Sequence, residues 1–180
     1  MVDLFNYTRR ESSVTHVGAL DLGGDNPIRI QSMTTTNTND TEACVKQAEE
    51  IIKAGGELVR FTTQGSREAE NMKNINAGIR ADGYDTPLVA DVHFNPNVAD
   101  VAALYCEKVR INPGNYVDPA RKFIKQEYTD EEYAHELQKI EDRFVPFLNI
   151  CKENHTAIRI GVNHGSLSDR IRNRYGDTPE

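Results

Sequence analysis

Four segments of this chain place an arginine between two apolar residues. In an extended strand successive side chains point to opposite faces, so each segment directs its apolar residues to one face and its arginine to the other. The fold must therefore give each strand one apolar neighbour and one neighbour that accepts a positive charge. The segments are P-I-R-I-Q at 27–31, L-V-R-F-T at 58–62, V-R-I-N at 109–112 and A-I-R-I-G at 157–161, and the arginines are Arg29, Arg60, Arg110 and Arg159.

Predicted strands alternate with predicted helices from residue 27 onward. Alternation of short apolar strands with helices predicts a parallel sheet. A doubly wound sheet covers both faces with apolar helices and leaves no place for a row of arginines, whereas a barrel turns one face toward a shared axis. We therefore expect an α/β fold, a partial TIM (β/α) barrel of about five βα units. Strands are predicted at 28–33, 57–63, 87–94, 108–111 and 157–162, and helices begin near Asp40, Ser66, Asn95, Thr129 and Ser168.

The N-terminal part has a different pattern. Residues 14–26 predict a short hairpin that ends at Gly23-Gly24, so residues 1–26 form an N-terminal segment and residues 27–180 form the partial barrel. A complete eight-unit barrel takes about 250 residues. With 180 residues in this sequence, two alternatives stay open: the chain is a truncated piece of a longer protein, or its sheet remains open.

Local signals indicate where several helices begin. Asp40 and the Asn95-Pro96 pair are typical of helix starts, and Thr129 with Glu132 has the spacing of a capping box. Pro146 lies inside the long fourth helix and is expected to kink or split it, because proline lacks the N–H that an interior position donates.

Composition limits the classes of partner. The net charge of −7 and the pI near 5.3 argue against a general binder of nucleic acid or of membrane surfaces. No apolar run is long enough to span a membrane, and the N-terminus lacks the apolar stretch of a secretory signal. A basic site inside an acidic chain instead indicates a small anionic ligand. Cys44, Cys106 and Cys151 lie far apart, so we expect reduced, packed thiols.

Polar residues gather where the predicted strands end, and barrel enzymes place their sites there. Guanidinium groups match phosphate oxygens with charge-assisted hydrogen bonds, so this setting above four arginines indicates a diphosphate site. The alternative is that each arginine pairs with a carboxylate such as Asp91, because arginine is almost never buried unpaired. The strand-end residues are Gln31, Ser32 and Thr34; Thr62, Thr63 and Gln64; Asp91, His93 and Asn95; Asn112, Gly114 and Asn115; and Asn163, His164, Gly165 and Ser166.

Asp91 and His93 are the candidates for direct chemistry. They lie two residues apart on the third predicted strand, and so on the same side of it. Metal binding, proton transfer and binding of substrate hydroxyls all stay open for this pair. No glycine-rich phosphate loop or dinucleotide fingerprint occurs in the sequence.

Five segments, read together, resemble the 4-hydroxy-3-methylbut-2-en-1-yl diphosphate synthases of the non-mevalonate isoprenoid pathway. The resemblance runs from about residue 9 to the end of the chain, and the segments at 122–146 and 163–171 resemble the longer, plant-like form of that family. The segments that carry it are IRIQSMTTTNTND at 28–40, LVRFTTQG at 58–65, PLVADVHF at 87–94, VRINPGN at 109–115 and RIGVNHGSLSDRIRNRYGDTP at 159–179.

The resemblance implies an oxidoreductase. Such an enzyme converts 2-C-methyl-D-erythritol 2,4-cyclodiphosphate to 4-hydroxy-3-methylbut-2-enyl diphosphate with two electrons from ferredoxin or flavodoxin, in the bacterial cytoplasm or the plant plastid. The family's [4Fe-4S] cluster is held by a separate C-terminal domain, so we expect no metal ligand in this chain and no activity of the fragment alone. Asp91 and His93 match polar site positions, and the substrate-binding positions are Arg60, Arg110, Asn112, Asn115, Arg159 and Asn163.

Two other functions stay open at this point. Pterin-binding barrels such as dihydropteroate synthase also bind ligands at strand ends, and a ligand-binding or regulatory fragment without catalysis is a third possibility. The open sheet has a further consequence, because unpaired outer strands invite pairing with another chain. We expect self-association with Ile28, Ile30, Ile158 and Ile160 near the contact.

Overall fold

The structure is a computed structural model that describes residues 6, 10–92, 95–113, 116–118 and 127–176. Its strands are β1 (Thr15–Val17), β2 (Leu20–Leu22), β3 (Gln31–Met33), β4 (Leu58–Thr62), β5 (Leu88–Asp91), β6 (Lys108–Ile111) and β7 (Ala157–Ile160). Its helices are α1 (Thr41–Lys53), α2 (Ser66–Ala81), α3 (Pro96–Ala102), α4 (Asp130–Glu153) and α5 (Asp169–Tyr175), with a 3-10 turn at His164–Ser166.

The larger sheet has five parallel strands in the order β3-β4-β5-β6-β7, so each strand lies beside its neighbour in sequence. The smaller sheet is the antiparallel hairpin of β1 and β2. Sequential parallel pairing with intervening helices is the arrangement of a (β/α) barrel wall. The predicted α/β class, the five units and the N-terminal hairpin are confirmed.

One face of the sheet is buried under the helices. Val59, Phe61, Val109 and Ile111 alternate along β4 and β6 and are almost fully buried in the main core. The predicted stripe of α2 faces them with Ala69, Met72, Ile75 and Ile79, all at 0% exposure. The helical side of the sheet is therefore the apolar face that the strand pattern predicted.

The predicted helix starts are confirmed by their caps. The side chain of Asp40 accepts a hydrogen bond from Ala43 N at 3.1 Å, and Asn95 accepts one from Asn97 N at 3.0 Å. Thr129 forms the predicted capping box at the start of α4. These bonds satisfy backbone N–H groups that have no partner inside the helix.

Helix α4 runs from Asp130 to Glu153 through Pro146, so of the two expected effects, a kink or a split, the split does not occur. Phe147 and Cys151 are buried in the core after the proline, and Arg143 pairs with Asp100 at 2.6 Å before it. Contacts on both sides of the proline thus outweigh the single lost backbone hydrogen bond. No helix in the described part of the chain is both long and apolar enough to cross a membrane.

The first sheet strand is shorter than the predicted 28–33, and this changes the place of Arg29. Ile28 is 83% exposed and Ile30 is 60% exposed, so neither packs under the helices as the pattern suggested. Arg29 binds Glu57 Oε1 at 2.8 Å and the carbonyl oxygen of Asp21 at 3.2 Å. It therefore lies near the N-terminal ends of the strands and is not the fourth member of the arginine row.

Glu57 and Glu107 make equivalent contacts just before β4 and β6. Glu57 Oε2 accepts from the backbone N–H of Ile30 at 2.9 Å, where the preceding strand of the sheet begins. Glu107 Oε2 accepts from the backbone N–H of Leu88 at 2.7 Å, and its Oε1 accepts from Arg80 at 2.8 Å. Each carboxylate thus joins the start of one strand to the start of the next and carries an arginine on its other oxygen.

The hairpin covers the N-terminal end of the other sheet face. Val17 packs with Leu58 and Val89 in a second buried cluster, and Leu20, Leu22 and Ala157 lie against it. This face is consequently apolar near the strand starts, and its charged residues lie further along the strands.

The contacts of Glu57 lead to a prediction about pH. Its backbone bond from Ile30, followed by its pair with Arg29, lowers the pKa of Glu57 below the ordinary value of 4.5. A lowered carboxyl pKa gives stability that is present above the ordinary pKa and lost as pH falls through the folded value. We expect Glu57→Gln to weaken the chain at neutral pH and to lose less further stability than wild type below about pH 4.5, in urea unfolding measured across that range.

The matched control is Glu70→Gln, since Glu70 is exposed on α2. This variant should follow the wild-type pH dependence. Parallel pH profiles for wild type and Glu57→Gln would show that Glu57 does not carry this linkage.

Candidate anion-binding site

The strand register lines up one polar and three charged residues near the C-terminal ends of four strands. Thr62 of β4, Asp91 of β5, Arg110 of β6 and Arg159 of β7 are Cα partners in one row. Arg60 lies two residues before Thr62 and so on the same face of β4. This is the sheet face away from the helices, beyond the apolar end that the hairpin covers.

Asp91 binds two of the predicted arginines. Its Oδ2 accepts from Nη2 of Arg60, and its Oδ1 accepts from Nη1 of Arg110 at 3.2 Å. The Asp91 residue is only 1% exposed, and both arginines are at least half-buried. Of the two alternatives that the sequence left open, pairing with a carboxylate therefore holds for Arg60 and Arg110 in this structure.

One carboxylate does not satisfy the whole group. The Nε of Arg60 is buried and has no hydrogen-bond partner among the described residues. Arg159 is exposed, and its guanidinium makes no ion pair within the described ranges of the chain. Two guanidinium groups thus share one aspartate while that of Arg159 lies beside them on the same face, which keeps an excess of positive charge.

A glycine fixes the position of Arg110. The Nη2 of Arg110 donates to the carbonyl oxygen of Gly161 at 2.9 Å. A Cβ placed on Gly161 would lie 2.0 Å from Nε of Arg110, far closer than any van der Waals contact. The glycine in R-I-G-V-N is therefore needed because the side chain of Arg110 occupies the space that any other residue would fill.

The polar residues after β6 and β7 contact one another. Asn112 is buried, and its Nδ2 donates to Oγ of Ser166 at 2.8 Å. Ser166 in turn donates to the carbonyl oxygen of Asn163 at 3.1 Å. The side chain of Asn163 itself is exposed beside this network. Predicted site residues from two loops, Asn112 and Asn163, are thus brought to the same edge of the sheet.

Two predicted site residues, His93 and Asn115, lie outside the described residues, as does Gly114. Other strand-end residues serve the fold. Asn95 caps α3, and Thr63 is buried with its hydroxyl bonded to the carbonyl oxygen of Phe61 at 3.3 Å.

The sequence reasoning missed a buried ion pair next to the site. Asp118 accepts from Nη2 of Arg170 at 3.0 Å, and both side chains are under 10% exposed. Burial is the largest single effect and opposes the charged form of Arg170, but the hydrogen bond and charge of Asp118, together with Tyr133, raise the pKa of that arginine. The pair joins α5 to the segment that follows β6. Nothing local in the sequence links the two positions, which are 52 residues apart.

Lys108 is also missed, although a signal for it exists. It lies two residues before Arg110 on β6, and alternation therefore places it on the charged face. The apolar–Arg–apolar pattern directed attention to the arginine alone. Counting every basic residue in the same phase would have included this lysine.

Comparison with known proteins identifies the family of this chain. A family profile described as the GcpE TIM-barrel domain matches residues 12–180. The chain belongs to this family. The predicted resemblance is therefore confirmed, and it covers nearly the whole sequence.

Relatives of the GcpE barrel share high identity with this chain. It is 78% identical over 179 residues to a protein of Phocaeicola vulgatus and 53% identical over 176 residues to one of Akkermansia muciniphila, both named 4-hydroxy-3-methylbut-2-en-1-yl diphosphate synthase (flavodoxin). These alignments cover 99% and 98% of this chain but only 29% and 30% of the relatives. The chain thus spans less than a third of the length of the curated relatives it matches.

Among solved structures, a dihydropteroate synthase of Xanthomonas albilineans is similar with a TM-score of 0.48 and 14% identity, over 88% of this chain and 69% of that one. A likeness of this size carries no argument about function. The GcpE match and the names of the relatives favour the synthase over the pterin-binding alternative.

The described residues do not fit an iron–sulfur cluster. Cys44, Cys106 and Cys151 are free and buried, as predicted, and they belong to three separate parts of the helical layer. Burial raises the pKa of each thiol, that of Cys151 to about 11, which disfavours the thiolate that iron binds. Within the described ranges, no group of three or more His, Cys, Asp or Glu side chains is placed to hold a metal ion.

The contact between Gly161 and Arg110 leads to a prediction about stability. Gly161→Ala should lower the free energy of unfolding by about 1–3 kcal/mol, because the new methyl group overpacks against the guanidinium. Gly165→Ala is the control, since no described atom lies within 4 Å of the added Cβ there, and it should change stability by less than about 0.5 kcal/mol.

A double-mutant cycle isolates the cause. Once Arg110→Ala has removed the guanidinium, adding Gly161→Ala should cost little, because the clash no longer exists. Equal costs of Gly161→Ala with and without Arg110, measured by chemical denaturation, would contradict the contact.

Proposed function

We propose that this chain supplies the diphosphate-binding part of a 4-hydroxy-3-methylbut-2-en-1-yl diphosphate synthase. The whole enzyme would convert 2-C-methyl-D-erythritol 2,4-cyclodiphosphate to 4-hydroxy-3-methylbut-2-enyl diphosphate. The observation that carries the proposal is the shared face of Arg60, Arg110 and Arg159, where one carboxylate, Asp91, binds two of the three arginines. The names of the relatives support the same assignment.

Diphosphate suits this face because its oxygens can accept hydrogen bonds from the guanidinium N–H groups that have no partner among the described residues. Guanidinium groups bind such oxygens in pairs, with geometry as well as charge. The guanidinium of Arg159 and Nε of Arg60 have no partner in the described part of the chain, so they bind the ligand first in this proposal. Asp91 keeps Arg60 and Arg110 in place before binding, which reduces the ordering cost when the ligand arrives.

The amide side chains have a second role in the proposal. Asn112, Asn115 and Asn163 would bind the ligand's polar groups. The bond from Asn112 to Ser166 supports this role, because it holds the loops after β6 and β7 together. Asp91 and His93 remain the candidates for moving protons.

Electrons are proposed to reach the whole enzyme from flavodoxin, which the relatives' names include. The reduction would use a [4Fe-4S] cluster on ligands outside this chain, so the barrel would bind substrate without turning it over alone. Because the relatives are bacterial, we place the enzyme in the cytoplasm.

Calorimetric titration with inorganic diphosphate tests the proposed site. Arg60→Ala, Arg110→Ala and Arg159→Ala should each weaken binding by roughly 1.5–3 kcal/mol, the value of a lost hydrogen bond to a charged group. Lysine at the same positions should restore only part of the affinity, because an ammonium group cannot form the paired bonds. Arg67→Ala, at an exposed position on α2, is the control and should bind like wild type. Wild-type affinity in all three site variants would refute the assignment.

We also propose that this chain associates with a second copy through its open sheet edges. β3 and β7 are the outer strands of the described sheet, and beside them Ile28, Ile30 and Ile160 are more than half exposed. Outer strands with apolar neighbours favour pairing with another chain. Ile158, which the sequence also suggested for the contact, is half-buried against the core instead.

Light scattering over about a hundredfold concentration range tests the association. The apparent mass of wild type should rise with concentration, while Ile30→Lys and Ile160→Lys should remain monomeric because charge blocks edge pairing. Leu137→Lys alters an apolar residue that is 49% exposed on α4 rather than on either outer strand, and it should behave like wild type. A wild-type monomer at every concentration would mean that the edges do not pair.

A further inference from the structure

Lys108 lies on the charged face next to the arginines. It is the Cα partner of Val89 on one side and of Ala157 on the other, and Val89 is in turn the partner of Arg60. Lys108 and Arg60 therefore lie in one row, two strands apart, with Cα atoms separated by roughly 9–10 Å. Both side chains are long enough to reach one ligand between them.

The ammonium group of Lys108 makes no ion pair within the described residues, although the residue is not exposed. Cations of similar burial elsewhere in the chain do have carboxylate partners. A cation that is removed from water without a partner costs free energy. The lack of a carboxylate partner for Lys108 is thus a property of this face. Four arginines elsewhere do have such partners: Arg29 with Glu57, Arg80 with Glu107, Arg143 with Asp100 and Arg170 with Asp118.

The surroundings of Lys108 are positive on three strands. Arg60 on β4, Arg110 on β6 and Arg159 on β7 share its face, and the one carboxylate in the described part of that face, Asp91 on β5, is bound to Arg60 and Arg110. The hairpin closes the same face below with apolar residues. Burial, followed by the charges of Arg159 and Arg60, lowers the pKa of Lys108.

We propose that Lys108 is a fourth cation of the anion site and binds the same diphosphate from the strand layer beneath Arg110. This inference rests on the proposed function and adds a ligand-binding residue to it. The proposal also makes the affinity for diphosphate depend on the protonation state of Lys108. A bound anion favours the ammonium form, so diphosphate should draw a proton onto Lys108 at alkaline pH, whereas the arginines stay charged throughout.

The experiment compares wild type with Lys108→Met and Lys108→Arg in calorimetric titrations with inorganic diphosphate, from neutral to alkaline pH. Lys108→Met should bind about 10- to 100-fold more weakly at neutral pH, because one charge-assisted contact is lost. The ratio of wild-type to Lys108→Arg affinity should fall as pH rises, because only lysine loses its charge. Ionisation of the ligand itself cancels in that ratio.

Lys46→Met is the matched control, because Lys46 is exposed on α1, and it should bind like wild type. Equal affinity of Lys108→Met and wild type would overturn the inference while leaving the proposed function intact. If Lys108→Met does not fold, as judged by circular dichroism, the Lys108→Arg ratio decides, and a ratio that is constant with pH overturns the inference. If wild type binds no diphosphate at all, the proposed function fails first and this inference fails with it.

Discussion

A buried carboxylate between two guanidinium groups is the interaction on which the charged face depends. Asp91 lies on the central strand β5, and its two oxygens bind Arg60 on one neighbouring strand and Arg110 on the other. Without it, Arg60 and Arg110 would lie on the same face of the sheet, on either side of β5, with no countercharge among the described residues. Removing one member of such a buried group typically costs about 3–5 kcal/mol, since a charge is left without a partner. Asp91 therefore organises both the sheet and the candidate site.

The rest of the fold separates apolar and charged regions along the strands. At the N-terminal end, the hairpin covers Leu58 and Val89, while Glu57 and Glu107 bind the backbone where neighbouring strands begin. At the C-terminal end, only Asp91 offsets the basic residues of the described face. The apolar contacts of this face thus lie at one end of the sheet, and the other end can keep a charge distribution that suits an anion.

Much of this arrangement could be predicted from local patterns. Caps at Asp40, Asn95 and Thr129 are local signals, and the structure has each helix where its cap indicates. The shared phase of Arg60, Arg110 and Arg159 follows from strand alternation. Arg29 shows the limit of that reasoning, because the same triplet pattern is overridden by a carboxylate 28 residues away.

Contacts between distant segments could not be predicted from the sequence, and the reason is physical. The pair of Arg170 with Asp118 and the contact of Gly161 with Arg110 depend on how loops return to the sheet, and no local preference encodes that return. Pro146 is the opposite case, since a strong local rule predicted a kink or a split and the helix is not split there.

The contact between Arg110 and Gly161 also sets the order of strand pairing and ligand binding during folding. The two residues are 51 positions apart, and the segment between them includes the whole of α4. Closing so long a segment costs conformational entropy before any contact repays it, and such non-local pairing is slow. Until β7 joins the sheet, the guanidinium of Arg110 lacks the glycine surface and carbonyl oxygen that hold it. A ligand that needs Arg110 in place can thus bind only after β7 has paired with β6, the pairing in the described sheet with the longest intervening segment. Ligand binding therefore reports that this last pairing has formed.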